Sequence, residues 1–431
     1  MCFDDPSSLK YFEVRRIKND GNRHNDVRSP FQRDRARIVH SSAFRRLQGK
    51  TQVMGVGEGD YHRTRLTHSI ECAQIGQGIL DVLVRKKMEL MGEDFVWLPD
   101  RDLVEAACFA HDLGHPPFGH GGERALHAQM VAAGGFEGNG QTLRIISKLE
   151  KYGERNSGIN PTRRLILSIL KYPIIYNDFP LDNVHPPKCY FNEEKDVVDW
   201  ALAGFDKEEV KRFVEKDEQG KAKHKTLDCS IMDCADDIAY GIHDIEDIIA
   251  RNLVQRNEIS QALYNAFKEV NYSLEVGAEK ITADSIESGL YKDSYSRKQT
   301  ISKLVNIMIT SARIEPVKGF QHPLLKYKVK LGDCETKLLK KLKKISFELV
   351  VEKAKVQQLE RRGQKIVQDV YCTLLSDPEK LIPSSSWANG EIDCSVSRRV
   401  CDYVAGMTDG YAEKVYRRLF LPGFGSSSDE L

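Results

Sequence analysis

The stretch Leu103-Val-Glu-Ala-Ala-Cys-Phe-Ala-His111-Asp112-Leu-Gly-His115-Pro-Pro-Phe-Gly-His120-Gly-Gly-Glu123 decides how the rest of the chain is read. Its first half is apolar at spacings of three and four, which predicts a helix over Leu103 to Leu113. Asp102 is the expected N-cap, and Gly114 with Pro116-Pro117 the stop. Its second half is a Gly-His-Pro-Pro-Phe-Gly-His turn. His111 and Asp112 therefore fall at the end of an apolar helix, where a buried carboxylate is costly unless another charge compensates it. Four of the 12 histidines (His111, His115, His120, His127) lie within this one neighbourhood. A divalent ion would supply the compensation, since imidazole and carboxylate are good ligands for Mn, Fe, Co or Mg-type ions. A bare His-Asp pair also describes two ordinary surface residues, so the flanking elements have to decide.

Upstream, apolar residues from Leu66 to Met91 predict a long amphipathic helix, capped by Thr64 or Thr67, with His68 near its start. Downstream, Leu165 to Leu170 and Ile231 to Ile249 are further helical stretches. In the second, Asp236, Tyr240 and Asp244 are spaced i, i+4, i+8 and share one helix face, because each step of four drifts by only about 40°. That face suits a ligand lying along the helix; the plainer reading is a polar surface stripe. Ile231, Ile238, Ile242, Ile245 and Ile249 on the same helix favour burial. From Glu335 to Leu375 a helical pattern (Leu338, Leu342, Ile345, Leu349) runs on, interrupted at Gly363. Strand signals are few, the clearest being the alternation from Leu325 to Leu331.

Breaks are expected at 134–140, 172–187 and 215–225, and a disordered tail at 423–431. The expected fold class is all-α, with at most a small β element. The expected organisation is an N-terminal segment 1–27, a core 28–255, a C-terminal helical region 256–422 and the tail 423–431.

Of 431 residues, 41% are hydrophobic and 29% charged, as in an ordinary globular chain. No apolar run approaches the roughly 18–20 residues of a membrane span. The first residues lack a basic stretch followed by an apolar one, and the ten cysteines form no Cys-x-x-Cys pair. The expectation is a cytoplasmic protein with reduced thiols and no membrane. The net charge of +1 conceals a segment from Arg28 to Arg65 with nine basic and three acidic residues, a local +6. It reads either as a solvated face or as a field for an anionic ligand.

His68, His111-Asp112 and Asp236 resemble the metal signature of the HD-domain phosphohydrolases, and more closely its dGTP triphosphohydrolase branch. Seven ordered blocks carry the resemblance: Arg45-Arg-Leu-Gln-Gly-Lys-Thr-Gln-Val53, Arg63-Thr-Arg-Leu-Thr-His68-Ser, His111 to Glu123, Phe136-Glu-Gly-Asn-Gly-Gln-Thr-Leu-Arg144, Lys171-Tyr-Pro, Asp236-Asp-Ile-Ala-Tyr240 and Gly406-Met-Thr-Asp409. Together they cover nearly the whole chain. The resemblance implies hydrolysis of a deoxynucleoside triphosphate, dGTP by default, at its α-phosphorus, releasing deoxynucleoside and tripolyphosphate. It implies one divalent ion, Mn or Mg first and Fe, Co or Ni next, held by His68, His111, Asp112 and Asp236. His120 and Glu123 would form the catalytic dyad, with His115 as proton donor to the leaving group or, alternatively, as a residue stabilising the turn.

By the same resemblance Arg65 would face the phosphates. Lys171, Lys188, Asn139 and Tyr172 are further substrate contacts, while Gln52, Tyr240 and Asp244 would read the deoxyribose. A tyrosine against C2′ would exclude a 2′-hydroxyl. His127 and His243 match no role and read as core or surface histidines. Gly140 and Gly410 depart from the residues usual in their blocks. Relatives assemble as tetramers or hexamers, and nucleotides or single-stranded DNA act on some of them. The lysine-rich helix around Leu338 would then pack between subunits, offer a basic surface, or simply be solvated. Two alternatives remain at this point. One is another HD phosphohydrolase, such as a nucleotidase or cyclic-nucleotide phosphodiesterase. The other is a nucleotide-sensing or nucleic-acid-binding protein with a vestigial site.

Overall fold

The computed structural model describes residues 5–17, 25–52, 63–152, 158–270, 274–276, 279–384 and 394–425. Most of the tail expected to be disordered, 426–431, lies outside these residues. The fold is mainly helical, as the periodicities predict. Strands among the described residues form two antiparallel ribbons, Leu274–Val276 with Glu279–Ile281 and Arg313–Pro316 with Tyr327–Lys330, beside isolated single bridges such as Thr51 with Thr64.

The strand expected from Leu325 to Leu331 is therefore shorter, because Pro323–Lys326 forms one helical turn. Proline occupies its first position, where its missing N–H costs nothing, and the His322 side chain caps it. The alternation survives in what remains, with Tyr327 and Val329 buried.

The helix Arg65–Met91 begins with a reciprocal capping box: Thr64 accepts from the Thr67 N–H, and the Thr67 hydroxyl accepts from the Thr64 N–H. The helix Arg101–Ala110 starts two residues earlier than expected. Its cap is Asp100, whose carboxylate accepts the Asp102 N–H at 2.7 Å. Asp102 instead sits in the first turn, where its charge suits the helix dipole, and pairs with Arg35 at 2.9 Å.

The expected run from Glu335 to Leu375 is two helices, Asp333–Ser346 and Ala354–Ser376, joined by a π-helical turn, Phe347–Val351. Gly363 does not interrupt it. A Cβ there would lie 2.6 Å from the Phe118 Cβ, so the position stays bare to let helix and turn approach.

Two apolar clusters organise the fold. The larger surrounds the buried helix Leu227–Ala250, against which Arg65–Met91, Arg101–Ala110 and Asp333–Ser346 pack. Its fully buried members, such as Leu83, Leu103, Ile238 and Leu338, each contribute about 1.5–3 kcal/mol by leaving water. It draws residues from both sides of position 255. The smaller cluster gathers Gly119–Met130, Ala354–Ser376, Val396–Ala405 and Asp409–Phe420. A buried ion network links the chain's distant parts: Arg144, with no exposed surface, pairs with Glu194 and Asp402, each at 2.8 Å.

Candidate active site

The segment between Ala110 and Gly119 connects a helix of the larger cluster to a helix of the smaller one, and the candidate site opens beside it. Within it His111 and Asp112 stay buried. The His111 Nδ1 lies 2.6 Å from the Cys108 carbonyl and donates to it. That fixes the tautomer and leaves Nε2 bare. The bare nitrogen is buried, has no hydrogen-bond partner, and faces the Oδ1 atoms of Asp112 and Asp236, each at 3.5 Å. His68 closes the group, with Nε2 at 3.1 Å from Asp236 Oδ1. One ligand atom from each of His68, His111 and Asp112 falls within 4.8 Å of the others.

Two imidazoles and two carboxylates around an orphaned nitrogen fit a divalent ion with nitrogen and oxygen preferences. Electrostatics agree. Burial pushes the His111 pKa down, but Asp112 and Asp236 more than reverse this and raise it to about 10. Burial opposes ionisation of Asp112, yet His115, His111 and Arg65 hold it well below the usual carboxylate range. The pocket thus holds two carboxylates ionised and draws positive charge to the point they share.

Cations from the start of the helix Arg65–Met91 and from three connecting segments lie around this group. Arg65 Nη1 lies 2.9 Å from Asp112 Oδ2. Lys171 bridges Asp236 at 3.2 Å and Asp233 at 2.7 Å, and Lys225 also pairs with Asp233. Lys225 and Asp233 belong to none of the expected site residues. Asp233, three residues before Asp236 and so on its helix face, was the available signal. Lys188 lies 2.8 Å from Glu137 and 3.6 Å from Glu123. Burial works against its charge, but these carboxylates raise its pKa above the usual lysine value. Asn139 donates to the same Glu137 oxygen at 2.8 Å, and Lys188 sits 6.0 Å from the Tyr172 ring centre.

His120 is the solvent-facing member, its side chain 65% exposed, while Glu123 is buried. Nδ1 of His120 lies 3.0 Å from Glu123 Oε2, and Glu123 Oε1 accepts the Gly138 N–H at 2.9 Å. Burial disfavours the Glu123 charge, but Lys188 and His120 hold its pKa well below the usual range. An ionised carboxylate anchored this way orients the imidazole and leaves its outer nitrogen toward the cavity. His115 stands close, its Nδ1 3.0 Å from Asp112 Oδ1 and its ring centre 6.0 Å from that of His120. Burial and Arg65 lower its pKa.

These groups, apart from the buried Glu123 and Glu137 behind His120 and Lys188, line one cavity of about 1060 Å³, which runs from Gln52 past Tyr240 to the helix Ala354–Ser376. Its far wall carries Phe347, Val351 and Val356. Asp244 borders a smaller adjoining cavity, and Gln52 lines both. Asp244 Oδ2 and Gln52 Oε1 are buried without hydrogen-bond partners. Burial and neighbouring Asp247 push the Asp244 pKa up to about 8, and burial and Asp244 push that of Tyr240 up to about 12.

His127 is structural. It accepts the Phe136 N–H at Nδ1, 3.2 Å, and donates from Nε2 to the Asp182 carbonyl, 2.6 Å. His243 faces Glu246 at 3.5 Å, away from these groups. Arg45 and Arg46 line a second cavity, of about 870 Å³, instead of this one. Lys50 and Asp409, in quoted blocks but without an expected role, both contact the turn between His115 and Phe118.

Residues 65–241 match the HD domain, and residues 330–418 match the phosphohydrolase-associated domain. Deoxyguanosinetriphosphate triphosphohydrolase-like protein 2 of Deinococcus radiodurans is 44% identical, over 94% of this chain and 95% of its own length. Deoxyguanosinetriphosphate triphosphohydrolase-like proteins of Aliivibrio fischeri and Shewanella halifaxensis are 42% and 41% identical, over 94% and 96% of this chain and 96% of each relative. The HD-domain match spans His68, His111, Asp112, His115, His120, Glu123 and Asp236, and the second match spans Asp409. The chain therefore belongs to the dGTP triphosphohydrolase-like family of HD-domain, metal-dependent phosphohydrolases.

Proposed function

We propose that the protein hydrolyses deoxynucleoside triphosphates, dGTP foremost, to deoxynucleoside and tripolyphosphate. The observation that carries the reading is the cavity's internal order. A cationic end (Arg65, Lys171, Lys188) adjoins the His-Asp cluster and the His120–Glu123 dyad, Gln52 and Tyr240 line the same cavity, and Asp244 borders the smaller cavity that adjoins it at Gln52. His68, His111, Asp112 and Asp236 would hold one divalent ion, Mn or Mg first. When bound, such an ion supplies Lewis acidity toward a phosphate oxygen.

The chain's own groups do the rest. Arg65 offers a guanidinium fork to phosphate oxygens, and Lys171 and Lys188 add point charges, with Asn139 and Tyr172 at the rim. Tyr240 packs its ring on the deoxyribose, leaving no room for a 2′-hydroxyl. Asp244 and Gln52, whose oxygens have no internal partner, take the 3′-hydroxyl. His120, steadied by Glu123, moves a proton at its outer ring nitrogen, and His115 serves the O5′ side. Water oxygen bonds to the α-phosphorus, the bond from phosphorus to O5′ breaks, and O5′ takes a proton.

The family resemblance adds a cytoplasmic homo-oligomer, tetramer or hexamer, with nucleotides or single-stranded DNA as candidate effectors. To test the reading, each dNTP is incubated with Mn or Mg and the products are separated. Tripolyphosphate and deoxynucleoside, absent with chelator or with Asp112→Ala, support it. Orthophosphate or a nucleoside monophosphate as the first product overturns it.

A further inference from the structure

The block Gly406-Met-Thr-Asp409 lies far along the chain from the His-Asp cluster, yet the structure folds it against the catalytic turn. Asp409 is the first residue of the helix Asp409–Phe420, whose N-cap is Thr408. A first-turn aspartate needs nothing beyond the helix dipole to explain it, but this one is buried and its carboxylate is turned elsewhere. Its Oδ1 accepts the Phe118 N–H at 2.9 Å, and its Oδ2 accepts both the N–H, at 3.0 Å, and the hydroxyl of Thr51.

Both partners sit at points that matter. Phe118 holds left-handed backbone, φ +60°, and begins the helix that carries His120 and Glu123 without any side-chain cap of its own. Left-handed backbone on a phenylalanine costs free energy and persists only where the surroundings enforce it. Thr51 precedes Gln52 at the sugar end of the cavity.

A second bond set fastens the other end of the same turn. Lys50, almost wholly buried, donates from Nζ to the His115 carbonyl at 2.5 Å and to the Ala405 carbonyl at 2.9 Å. Packing leaves no slack between the layers: a Cβ on Gly49 would lie 2.9 Å from the Thr408 Cβ. Residues 405–409 thus grip 49–51, and both grip the turn from His115 to Phe118. None of these contacts involves His68, His111, Asp112 or Asp236.

We propose that Asp409 is a positioning residue for the reaction. It sets the angle at which His120 and Glu123 meet the α-phosphorus and ties that angle to Gln52 at the sugar. The C-terminal region, by this account, belongs to the catalytic machinery even though it supplies no metal ligand. The inference rests on the dyad's role in the proposed hydrolysis.

The test compares the full-length parent, Asp409→Asn, Thr51→Val and the double variant, all with Mn and the best dNTP, at least 20 °C below each melting temperature. The asparagine offers one acceptor oxygen where two are used, so one of the two backbone N–H groups, of Phe118 or Thr51, loses its partner. A shift of about 1 Å in a reacting group costs on the order of 100-fold. The expected result is a fall in kcat of about 100-fold for Asp409→Asn, with KM within threefold and Mn affinity unchanged by calorimetry. Thr51→Val loses only the hydroxyl contact and falls at least threefold. The double variant is no slower than Asp409→Asn, because Thr51 acts through Asp409.

An Asp409→Asn protein that keeps more than a tenth of the parental kcat overturns the proposal, as does a double variant slowed by the product of the single effects. Should Asp409→Asn not fold, Thr51→Val decides alone: a threefold or larger loss of kcat at parental KM supports the proposal, and any smaller loss overturns it. A parent that hydrolyses no dNTP overturns the proposed function and this inference together. An active parent with unaffected variants overturns only this one.

Discussion

Replacing Asp244 by asparagine should stabilise the fold, and increasingly so as the pH rises. Its carboxyl is buried beside Asp247, with Asp236 and Glu71 adding negative field, and its pKa is pushed up to about 8 from an ordinary 3.8. Arg63, the guanidinium that pulls this pKa down, is already engaged by Glu71, Glu246 and Asp247 at 2.9, 3.3 and 2.7 Å. The unfolded chain releases this proton near pH 4, whereas the folded chain keeps it to about pH 8. Through that window the folded state binds more protons, so stability falls as pH rises, and the loss is complete above the folded pKa.

A gap of about four pKa units is worth at most roughly 5–6 kcal/mol, of which about 3–4 kcal/mol develops between pH 5 and pH 8. With an unfolding entropy of about 2.1 cal/mol/K per residue, a chain of this length moves by roughly 4 °C. Melting curves of parent and Asp244→Asn at pH 5, 6, 7 and 8 supply the check. The variant's advantage in Tm should grow by about 4 °C across the series, while its KM for dNTP rises about tenfold as the sugar contact weakens. A Tm difference that stays constant with pH refutes the reasoning, because it would mean that Asp244 ionises in the folded chain as it does in the unfolded one.

Other substitutions follow from particular contacts. Tyr240→Ala should lower the preference for dNTP over rNTP at least tenfold, read as the ratio of kcat/KM values. Gly363→Ala puts a methyl 2.6 Å from the Phe118 Cβ, so it should cost about 1–3 kcal/mol and reduce kcat more than KM. Arg144→Met leaves Glu194 and Asp402 buried without their shared cation; loss of about 3–5 kcal/mol should appear as a Tm lower by several degrees.

The sequence made the helices around the His-Asp pair readable because their cores repeat every three to four residues, and the chemistry because its ligands lie at helix starts and ends. The Arg65–Met91 cap was legible because the Thr64 and Thr67 side chains each bond the other's backbone N–H three residues away. Asp100 displaced Asp102 as a cap because Arg35, far upstream, gives Asp102 a different partner. Gly363 looks like a break in any local window; its reason is Phe118, hundreds of residues away. The same distance hid Lys50 and Asp409, whose partners at 355 and 291 residues' separation belong to other elements. Local periodicity reports which face of a helix is buried. It carries no record of which distant turn meets that face, and the positioning contacts of this site are of that second kind.

The proposed hydrolysis requires that water attack the α-phosphorus and that the deoxynucleoside leave whole. Hydrolysis of dGTP in ¹⁸O-labelled water, with mass spectrometry of both products, tests it directly. One labelled oxygen is expected in tripolyphosphate and none in deoxyguanosine. Label in the deoxyguanosine, or label appearing in orthophosphate or pyrophosphate, would contradict it.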